Sequence, residues 1–497
     1  MITGWAGWVL ANARASAPGG PSAAELAKSL HVHRSQIGRW ESDQVQPSYA
    51  ICERYEETLG YEPGQLSATI EILTPTRGGR PMLLRDDRPR DDDRLADLLD
   101  QALAGEPTSG EEWRELGRSV ANRPEIFLRR RDWDALLHRL IVEMGLSHGY
   151  RYEQFWLAAR HLASHPRAAA SVERAAREWL NDDSRPAYCD VASITQHAVA
   201  PNRVAPLHEQ IMKPASPVAL WASLIGYQAH VRTMRLDVLR STPALDAVQA
   251  WARDRGVSGR VRWAANEVLA LAARRLRPQA WAASGDGRTR VPPVGRLPTP
   301  PDLARTVATE CLNACAEQGG GSDATLGQLL FTTLTSVDAE RRGELSSGVA
   351  RLPQAPVIAE VLARHLDAAH AGGGYAGIGV LQLLNWTGYA GDGMPLARTL
   401  VDDRTPDQAA TAAAGALSSS VDAHGPEGRT VALDAVERWA RGRVGRHHGR
   451  GDDRARPAAL VLHTAGREQA LDDLAALARE RGDASWAAAT SAWRQSA

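Results

Sequence analysis

The fold of the N-terminal part of this chain is decided by the stretch Ser22-Ala-Ala-Glu-Leu-Ala-Lys-Ser-Leu-His-Val-His-Arg-Ser-Gln-Ile-Gly-Arg-Trp-Glu41. In it, Ser22 and Glu25 have the spacing of a capping box, in which each side chain accepts a hydrogen bond from the other residue's backbone N–H. This spacing predicts that a helix begins just after Ser22. Three apolar residues give that helix one buried face: Leu26, Ala27 and Leu30.

A tight turn and a second short helix follow in the same stretch. The turn is predicted over Leu30–His33, with Val32 facing the core. The second helix, from Arg34 to Glu41, places Ile37 and Trp40 on its inward face. Two short helices joined by a tight turn, each with two or three inward apolar residues, are typical of a helix-turn-helix.

Several residues in and around this stretch are spaced as in a known family: Arg14, Glu25-Leu26-Ala27, Leu30-x-Val32, Ser35-Gln36-Ile37, Arg39-Trp40-Glu41, Pro47 and Leu59-Gly60. In these residues the sequence resembles the XRE family, whose DNA-binding domains are like those of lambda repressor and Cro. The resemblance covers roughly residues 4–66, about an eighth of the chain. It has two departures: the loop Ala15–Pro21 is a little long, and Ser42-Asp43 stands where many relatives have a basic residue and glycine.

The resemblance implies a DNA-reading surface on the second helix. That helix, from Arg34 to Trp40, is then expected in the major groove with its N-terminal end toward the bases. An arginine there can donate two hydrogen bonds to O6 and N7 of guanine, which discriminates by about 1–3 kcal/mol. The side chains expected at the bases or the phosphates beside them are Arg34, Ser35, Gln36 and Arg39, and those expected on the phosphate backbone are Ser22, His33 and Gln44.

The expected partner is double-stranded DNA, bound by a homodimer, because two copies on one DNA raise the affinity. An alternative stays open, since some domains of this fold serve as protein contacts. Weak charge favours that alternative and predicts modest non-specific affinity for DNA. Residues 1–48 have a net charge of only +1, from Arg14, Lys28, Arg34 and Arg39 against Glu25, Glu41 and Asp43.

The composition of the whole chain indicates a soluble helical protein. Its 497 residues are too many for one core and predict about two to four domains. Alanine and arginine dominate, whereas Phe and Tyr are scarce, which favours helix over sheet. The net charge of −1 means that any binding to nucleic acid must be local. Since no apolar run approaches the roughly 20 residues that span a bilayer, we expect no membrane contact and a cytoplasmic, nucleoid-associated location.

Breaks in composition divide the chain, and we expect an all-α architecture throughout. Apolar residues recur at helical spacing from Leu95, from Val218 and from Leu471. The expected order is a helix-turn-helix domain (1–70), a solvated linker rich in Pro, Gly, Arg and Asp (71–93), a helical middle domain (94–283), a Pro/Gly/Arg-rich connection (284–301) and a helical-repeat domain (302–497).

The C-terminal part contains an internal repeat. Arg296-Leu297-Pro298 recurs as Arg351-Leu352-Pro353, and Gln328-Leu329-Leu330 recurs as Gln382-Leu383-Leu384. Each unit is predicted to be a helix opened by proline, a glycine-rich turn and a second apolar helix. Because such a unit cannot bury its apolar face alone, we expect stacked units in an α-solenoid that resembles HEAT-type arrays.

The sequence contains possible motifs for a cofactor or a metal, but the residues around each motif do not fit the structure that the motif requires. Gly372-x-Gly374-x-x-Gly377 fits a dinucleotide-binding fingerprint, but the residues before it are predicted to be helical, whereas that fingerprint follows a strand. Cys311 and Cys315 share one helix face and have no partner pair at zinc-site spacing. His447-His448 lies in a loop rich in Gly, Asp and Arg. We therefore expect no enzyme activity, no catalytic residue, no cofactor and no metal.

Two binding hypotheses stay open in the helical part. Seven arginines and two aspartates lie between Arg438 and Arg456, which permits a secondary phosphate contact. Four tryptophans lie on apolar helical stripes, where core packing is the default and a ligand pocket is the alternative: Trp221, Trp263, Trp386 and Trp439.

These features favour a sequence-specific transcriptional regulator whose helical body supplies dimerisation and binds a small-molecule or protein effector. The competing class is a DNA-bound scaffold or adaptor, in plasmid or phage biology, replication or defence, that recruits a partner protein. The two classes differ in where the protein binds: regulators gather at promoters, whereas a scaffold favours an origin, a DNA end or foreign DNA.

Overall fold

The computed structural model describes residues 5–74, 84–87, 91–145, 147, 149–182, 188–199, 202–234, 238–239, 242–276, 298–318, 323–366, 377–446 and 452–494. Over these ranges the chain forms 26 α-helices and two short 3-10 helices, with no strand. The all-α prediction is confirmed. None of the helices in the described ranges is both long enough and apolar enough to cross a bilayer.

Five helices form the N-terminal domain. The predicted helix, turn and helix of the deciding stretch lie where the capping box and the apolar spacing placed them. The helices are α1 (Trp5–Ser16), α2 (Ala23–Ser29), α3 (Arg34–Glu41), α4 (Tyr49–Leu59) and α5 (Gln65–Leu73).

Ten helices form the middle part of the chain. The helices predicted from the apolar spacing at Leu95 and Val218 are both present. The ten are α6 (Asp92–Ala104), α7 (Gly110–Ala121), α8 (Arg130–Gly145), α9 (Gly149–Ser164), α10 (Ala169–Leu180), α11 (Tyr188–Ile194), α12 (Ala205–Met212), α13 (Pro217–Thr233), α14 (Pro243–Arg253) and α15 (Gly259–Leu276), with 3-10 turns at Pro166–Ala168 and Thr195–His197.

Eleven helices form the C-terminal part. They are α16 (Pro301–Glu317), α17 (Ala324–Thr335), α18 (Ala339–Ala350), α19 (Ala355–Arg364), α20 (Ile378–Thr387), α21 (Met394–Val401), α22 (Asp407–His424), α23 (Thr430–Arg443), α24 (Ala455–Thr464), α25 (Glu468–Glu480) and α26 (Ala484–Arg494).

The two repeat units fall on corresponding helix pairs. Proline opens α16 and lies in the first turn of α19, and a second apolar helix follows each of them, α17 and α20. α16 packs against both α17 and α19, and α19 packs against α20. The glycine-rich turns of both units lie outside the described residues. The solenoid interpretation therefore stays a prediction.

The apolar cores do not follow the expected domain boundaries. One core cluster joins the N-terminal helices with the C-terminal part of the chain, from Ala6 through Leu84 to Ala304 and on to Ala489. Helix α5 lies at a junction, because its Leu66 and Ile70 belong to that cluster while its Ala68 and Ile72 belong to a second cluster with α6–α11. A third cluster covers α12–α15. The N-terminal domain is therefore packed into the body.

The segment 71–93 departs from the expected solvated linker at Leu84, whereas Arg85, Asp87 and residues 91–93 are exposed. Leu84 is 1% exposed and belongs to the same core cluster as the N-terminal helices. Its N–H donates to Glu71 Oε1 (3.2 Å), and the Tyr49 N–H donates to the Arg85 carbonyl (2.9 Å). Burying one leucine removes apolar area from water, and the two hydrogen bonds satisfy the backbone beside it. Of the connection predicted at 284–301, residues 284–297 lie outside the described residues.

Candidate nucleic-acid interface

The start of α2 is fixed by the predicted capping box. The Ser22 hydroxyl accepts the Glu25 N–H (3.3 Å), and Glu25 Oε2 accepts the Ser22 N–H (2.7 Å). The backbone N–H of Ser22 holds the carboxyl in its charged form and lowers the pKa of Glu25. Ser22 is exposed, so it is open to a phosphate while its hydroxyl oxygen already caps the helix.

The turn between α2 and α3 contains a left-handed residue that is not glycine. His31 has φ +51°, and its N–H donates to the Lys28 carbonyl (3.2 Å). The next N–H, of Val32, donates to the Ala27 carbonyl (2.9 Å). These two bonds satisfy the last carbonyls of α2 and turn the chain tightly into α3.

His33 caps the N-terminus of α3. Its Nδ1 accepts the Ser35 N–H (3.3 Å) and lies 2.8 Å from the Ser35 hydroxyl. A ring whose Nδ1 accepts a hydrogen bond carries its proton on Nε2 when neutral. That Nε2–H is the ring donor left for a phosphate oxygen. His33, predicted as a backbone contact, therefore also has a structural role that the sequence analysis did not assign.

Helix α3 separates a buried face from an exposed one. Ile37 is fully buried and Trp40 is 8% exposed, with its ring edge-on to Tyr55 at 6.3 Å between centroids. The opposite face carries four of the predicted DNA contacts, all exposed: Arg34, Ser35, Gln36 and Arg39. Arg34 and Arg39 have no acidic partner at ion-pair distance within the described ranges. Two free guanidinium groups at this surface favour contact with an anion or a base edge.

The residues after α3 tie it to α1. Asp43 has φ +56° at the position where many XRE proteins have glycine, and a short polar side chain tolerates that conformation. Its Oδ1 accepts the Gly7 N–H (2.7 Å) in the first turn of α1. Burial raises the pKa of the Asp43 carboxyl, and the Gly7 N–H opposes that rise. The departure noted in the sequence thus has a structural cause, and Gln44 directly after it is exposed.

The family comparison covers this surface. Residues 18–66 match the family model described as helix-turn-helix. This part of the chain is a helix-turn-helix domain of the XRE type. The match ends close to where the resemblance ended, and it confirms that prediction. No curated protein and no solved structure matches the chain.

The helix-turn-helix match begins after α1, yet α1 belongs to the same packed domain. Asp43 caps α1, and the Tyr61 hydroxyl donates to the Ala13 carbonyl (2.8 Å). A β-carbon at Gly7 would lie 2.6 Å from the Glu41 carbonyl oxygen, so α1 lies directly against the end of α3. Sequence analysis missed Gly7 and Asp43, and their signal was the replacement of glycine by Asp after α3.

The helix-turn-helix domain is attached to the body through α1. The Asn12 and Gln354 side-chain amides exchange two hydrogen bonds (3.1 and 2.8 Å), and both residues are buried. The Trp8 indole N–H donates to Asp323 Oδ2 (2.9 Å). These bonds cross the core that the domain shares with the C-terminal part and fix the direction of α1.

A second set of contacts holds α4 and α5 against the middle part. Arg114 donates to the Gly64 carbonyl (2.9 Å), and the Arg118 guanidinium lies 3.5 Å from the centre of the Tyr49 ring. The buried Glu71 accepts a hydrogen bond at 3.1 Å from His161 Nε2. Burial raises the pKa of Glu71, but the positive field of His161 and neighbouring arginines outweighs it, so the pKa is lowered. The domain is thus held from behind while the α3 surface stays exposed.

The other motifs singled out in the sequence are structural or lie outside the described residues. Cys311 and Cys315 are buried in the core of α16, and burial raises their pKa to about 12 and about 11. Within the described ranges no three His, Cys, Asp or Glu side chains are grouped to hold a metal. Gly372, Gly374 and His447-His448 lie outside the described residues.

Proposed function

We propose that this chain is a sequence-specific DNA-binding transcriptional regulator that reads duplex DNA with α3. The observation that carries the proposal is the exposed face of α3 with two unpaired arginines, on a helix-turn-helix domain that the body contacts through α1, α4 and α5. In this fold the second helix enters the major groove. Arg34 and Arg39 would donate to guanine O6 and N7, and Ser35 and Gln36 to other bases or to phosphate.

Phosphate contacts would fix the register of the domain on the duplex. Ser22 and His33 lie at the N-termini of α2 and α3, where free backbone N–H groups and the helix dipole favour an anion. Gln44 lies just past the other end of α3. These contacts carry no sequence information, so their loss weakens binding to all duplexes alike.

The helical body would supply dimerisation and an effector surface. One helix-turn-helix reads a half-site, and two copies about one helical turn apart on the duplex read a near-palindrome. Because the domain shares its core with the C-terminal part, an effector would act by changing the spacing or angle between two whole subunits. We propose no chemical reaction for this chain.

The test is selection of genomic DNA fragments by the purified full chain, followed by sequencing. Arg34→Ala/Arg39→Ala removes both free cations of α3. Arg131→Ala/Arg305→Ala is the matched control, because it removes two exposed arginines on α8 and α16, whose side chains are 73% and 64% exposed.

We expect the wild type and the control to enrich one roughly two-fold symmetric motif upstream of genes, and the α3 variant to lose that enrichment. Enrichment at an origin, at DNA ends or on a plasmid would instead support the scaffold class. Equal enrichment by the α3 variant, or none by the wild type, would refute the reading role of α3.

A further inference from the structure

Arginines surround two adjoining clefts at the far C-terminal end of the chain. One cleft of about 600 Å³ lies between the end of α23 and the end of α25, and the other, of about 180 Å³, lies beside α23. Both are lined by Gly442 and Arg446, so they form one trough. We call it the arginine trough and define it by Arg438, Trp439, Gly442, Arg446 and Arg481.

Two further arginines at this trough are neutralised by acids. Arg441 pairs with Asp473 (2.7 Å) and Glu437, while Arg443 pairs with Asp452 (2.7 Å) and Asp403. These pairs fix the walls of the trough, and because two arginines pair with four carboxylates, the paired groups carry a net charge of −2.

The three remaining arginines keep their charge. Arg438, Arg446 and Arg481 are exposed, and no carboxylate in the described part of the chain forms an ion pair with them. The five arginines and four carboxylates of the trough and its walls sum to +1, and the positive charge that no ion pair uses lies on these three exposed guanidinium groups.

Two of these side chains are already held in place. Arg481 Nη1 donates to the Val444 carbonyl (2.8 Å), and Arg438 Nε donates to the Asp434 carbonyl (3.2 Å). Each guanidinium keeps further N–H donors for a ligand, and less side-chain entropy is lost when it binds. Gly442 leaves its stretch of backbone open, because a β-carbon there would meet only Arg446, at 3.7 Å.

We infer that the arginine trough binds the phosphodiester backbone of DNA without reading bases. Guanidinium groups pair with phosphate oxygens through parallel N–H donors. The three free cations spread along a trough from α23 to the turn after α25, which fits successive phosphates of a strand better than one small anion. This inference extends the proposed function, since both take duplex DNA as the partner, but it does not depend on α3.

The experiment measures binding of a duplex without genomic motif, by fluorescence anisotropy at several salt concentrations. The variants of the full chain are the trough variant Arg438→Gln/Arg446→Gln, the α3 variant Arg34→Ala/Arg39→Ala, the combination of these two, and the matched control Arg131→Gln/Arg305→Gln. Arg481 is left intact because it caps the Val444 carbonyl. Sodium pyrophosphate is the competitor that represents a free phosphate ligand.

We expect the trough variant to bind about tenfold more weakly, and the slope of log K against log salt to fall by about 0.9 for each phosphate that the protein no longer neutralises. The control keeps the wild-type slope. When the trough substitutions are added to the α3 variant, its affinity and its slope fall further. Identical slopes for trough variant and control overturn the inference, as does displacement of DNA by pyrophosphate at equal phosphate concentration. A failure of the proposed function is distinguishable from a failure of this inference. The proposed function is tested by selection of the genomic motif, whereas this experiment uses a duplex without that motif.

Discussion

Arg14 in α1 and Glu41 at the end of α3 form a two-point ion pair, with Nε to Oε1 at 2.7 Å and Nη2 to Oε2 at 2.8 Å. Arg14 also donates to the Pro21 carbonyl (3.1 Å), so one guanidinium joins α1, the loop before α2 and the last residue of α3. Both side chains are largely buried, at 21% and 11% exposed. Arg14 therefore orients α3 and is not itself free for DNA.

Replacing Arg14 should loosen α3 without touching a base contact. Arg14→Gln leaves the Glu41 carboxylate partly buried and without its partner, which should cost about 1–3 kcal/mol. Amide hydrogen exchange at Ile37 and Trp40 should accelerate accordingly. Arg14→Gln/Glu41→Gln should recover part of the loss, and equal exchange in the single variant and the wild type would contradict the role given to this pair.

Two glycines should respond in opposite directions to alanine. Gly7→Ala places a β-carbon 2.6 Å from the Glu41 carbonyl oxygen, a backbone atom that cannot rotate away, and should destabilise the domain by about 1–3 kcal/mol. Gly38→Ala meets nothing within 4 Å on the exposed side of α3 and should stabilise it by about 0.5–1 kcal/mol. Thermal unfolding of both variants checks the signs. If Gly38→Ala also weakens DNA binding, the α3 backbone approaches the duplex there.

The attachment of the helix-turn-helix domain should depend on the buried amide pair. Gln354→Ala leaves the Asn12 amide buried without its partner and should cost about 1–3 kcal/mol, because an unmade buried hydrogen bond is expensive. Asn12→Leu/Gln354→Leu should cost less than the single substitution. Hydrogen exchange in α1 and denaturant unfolding report both. The control is Gln328→Ala, whose exposed side chain donates a hydrogen bond to Thr332 on its own helix and should leave exchange in α1 unchanged.

Stability should fall in mild acid through His230. Burial, aided by nearby cations, lowers the pKa of His230 to about 3, against about 6.5 in the unfolded chain. Below about pH 6.5, His230 is protonated in the unfolded chain but stays neutral in the folded protein. The contribution of His230 to the free energy of unfolding is therefore complete above about pH 6.5. As the pH falls from there toward 3, this contribution is lost at about 1.4 kcal/mol per pH unit.

His230→Gln measures that contribution. We expect the unfolding free energy of this variant to fall less steeply than that of the wild type between about pH 6.5 and about pH 4.5. The exposed His424→Gln serves as the control and should follow the wild type. Parallel slopes for His230→Gln and the wild type would show that His230 is not held neutral in the fold.

Local signals in the sequence were enough to determine the helix-turn-helix. The capping box at Ser22 and Glu25 acts over three residues, and the apolar pair Ile37 and Trp40 shows the helical period directly. Because these signals act within one or two turns, they were enough to predict α2 and α3. The inward pair on α3 also implied that the predicted contact residues lie on its exposed side. The assignment of each to a base or a phosphate stays a prediction that DNA binding must test.

Only the tertiary structure decided how that domain is mounted. Asn12 and Gln354 are 342 positions apart. Nothing in the sequence around either residue distinguishes it from a polar residue that is exposed to water. Leu84 ends a run of three apolar residues, Met82-Leu83-Leu84, in an otherwise polar segment, and a run this short has no period that could predict its burial. Asp43 likewise gave only a departure from a family pattern, and its partner Gly7 lies on another helix. Pairing between distant segments depends on how whole helices pack, and no local pattern of residues records it.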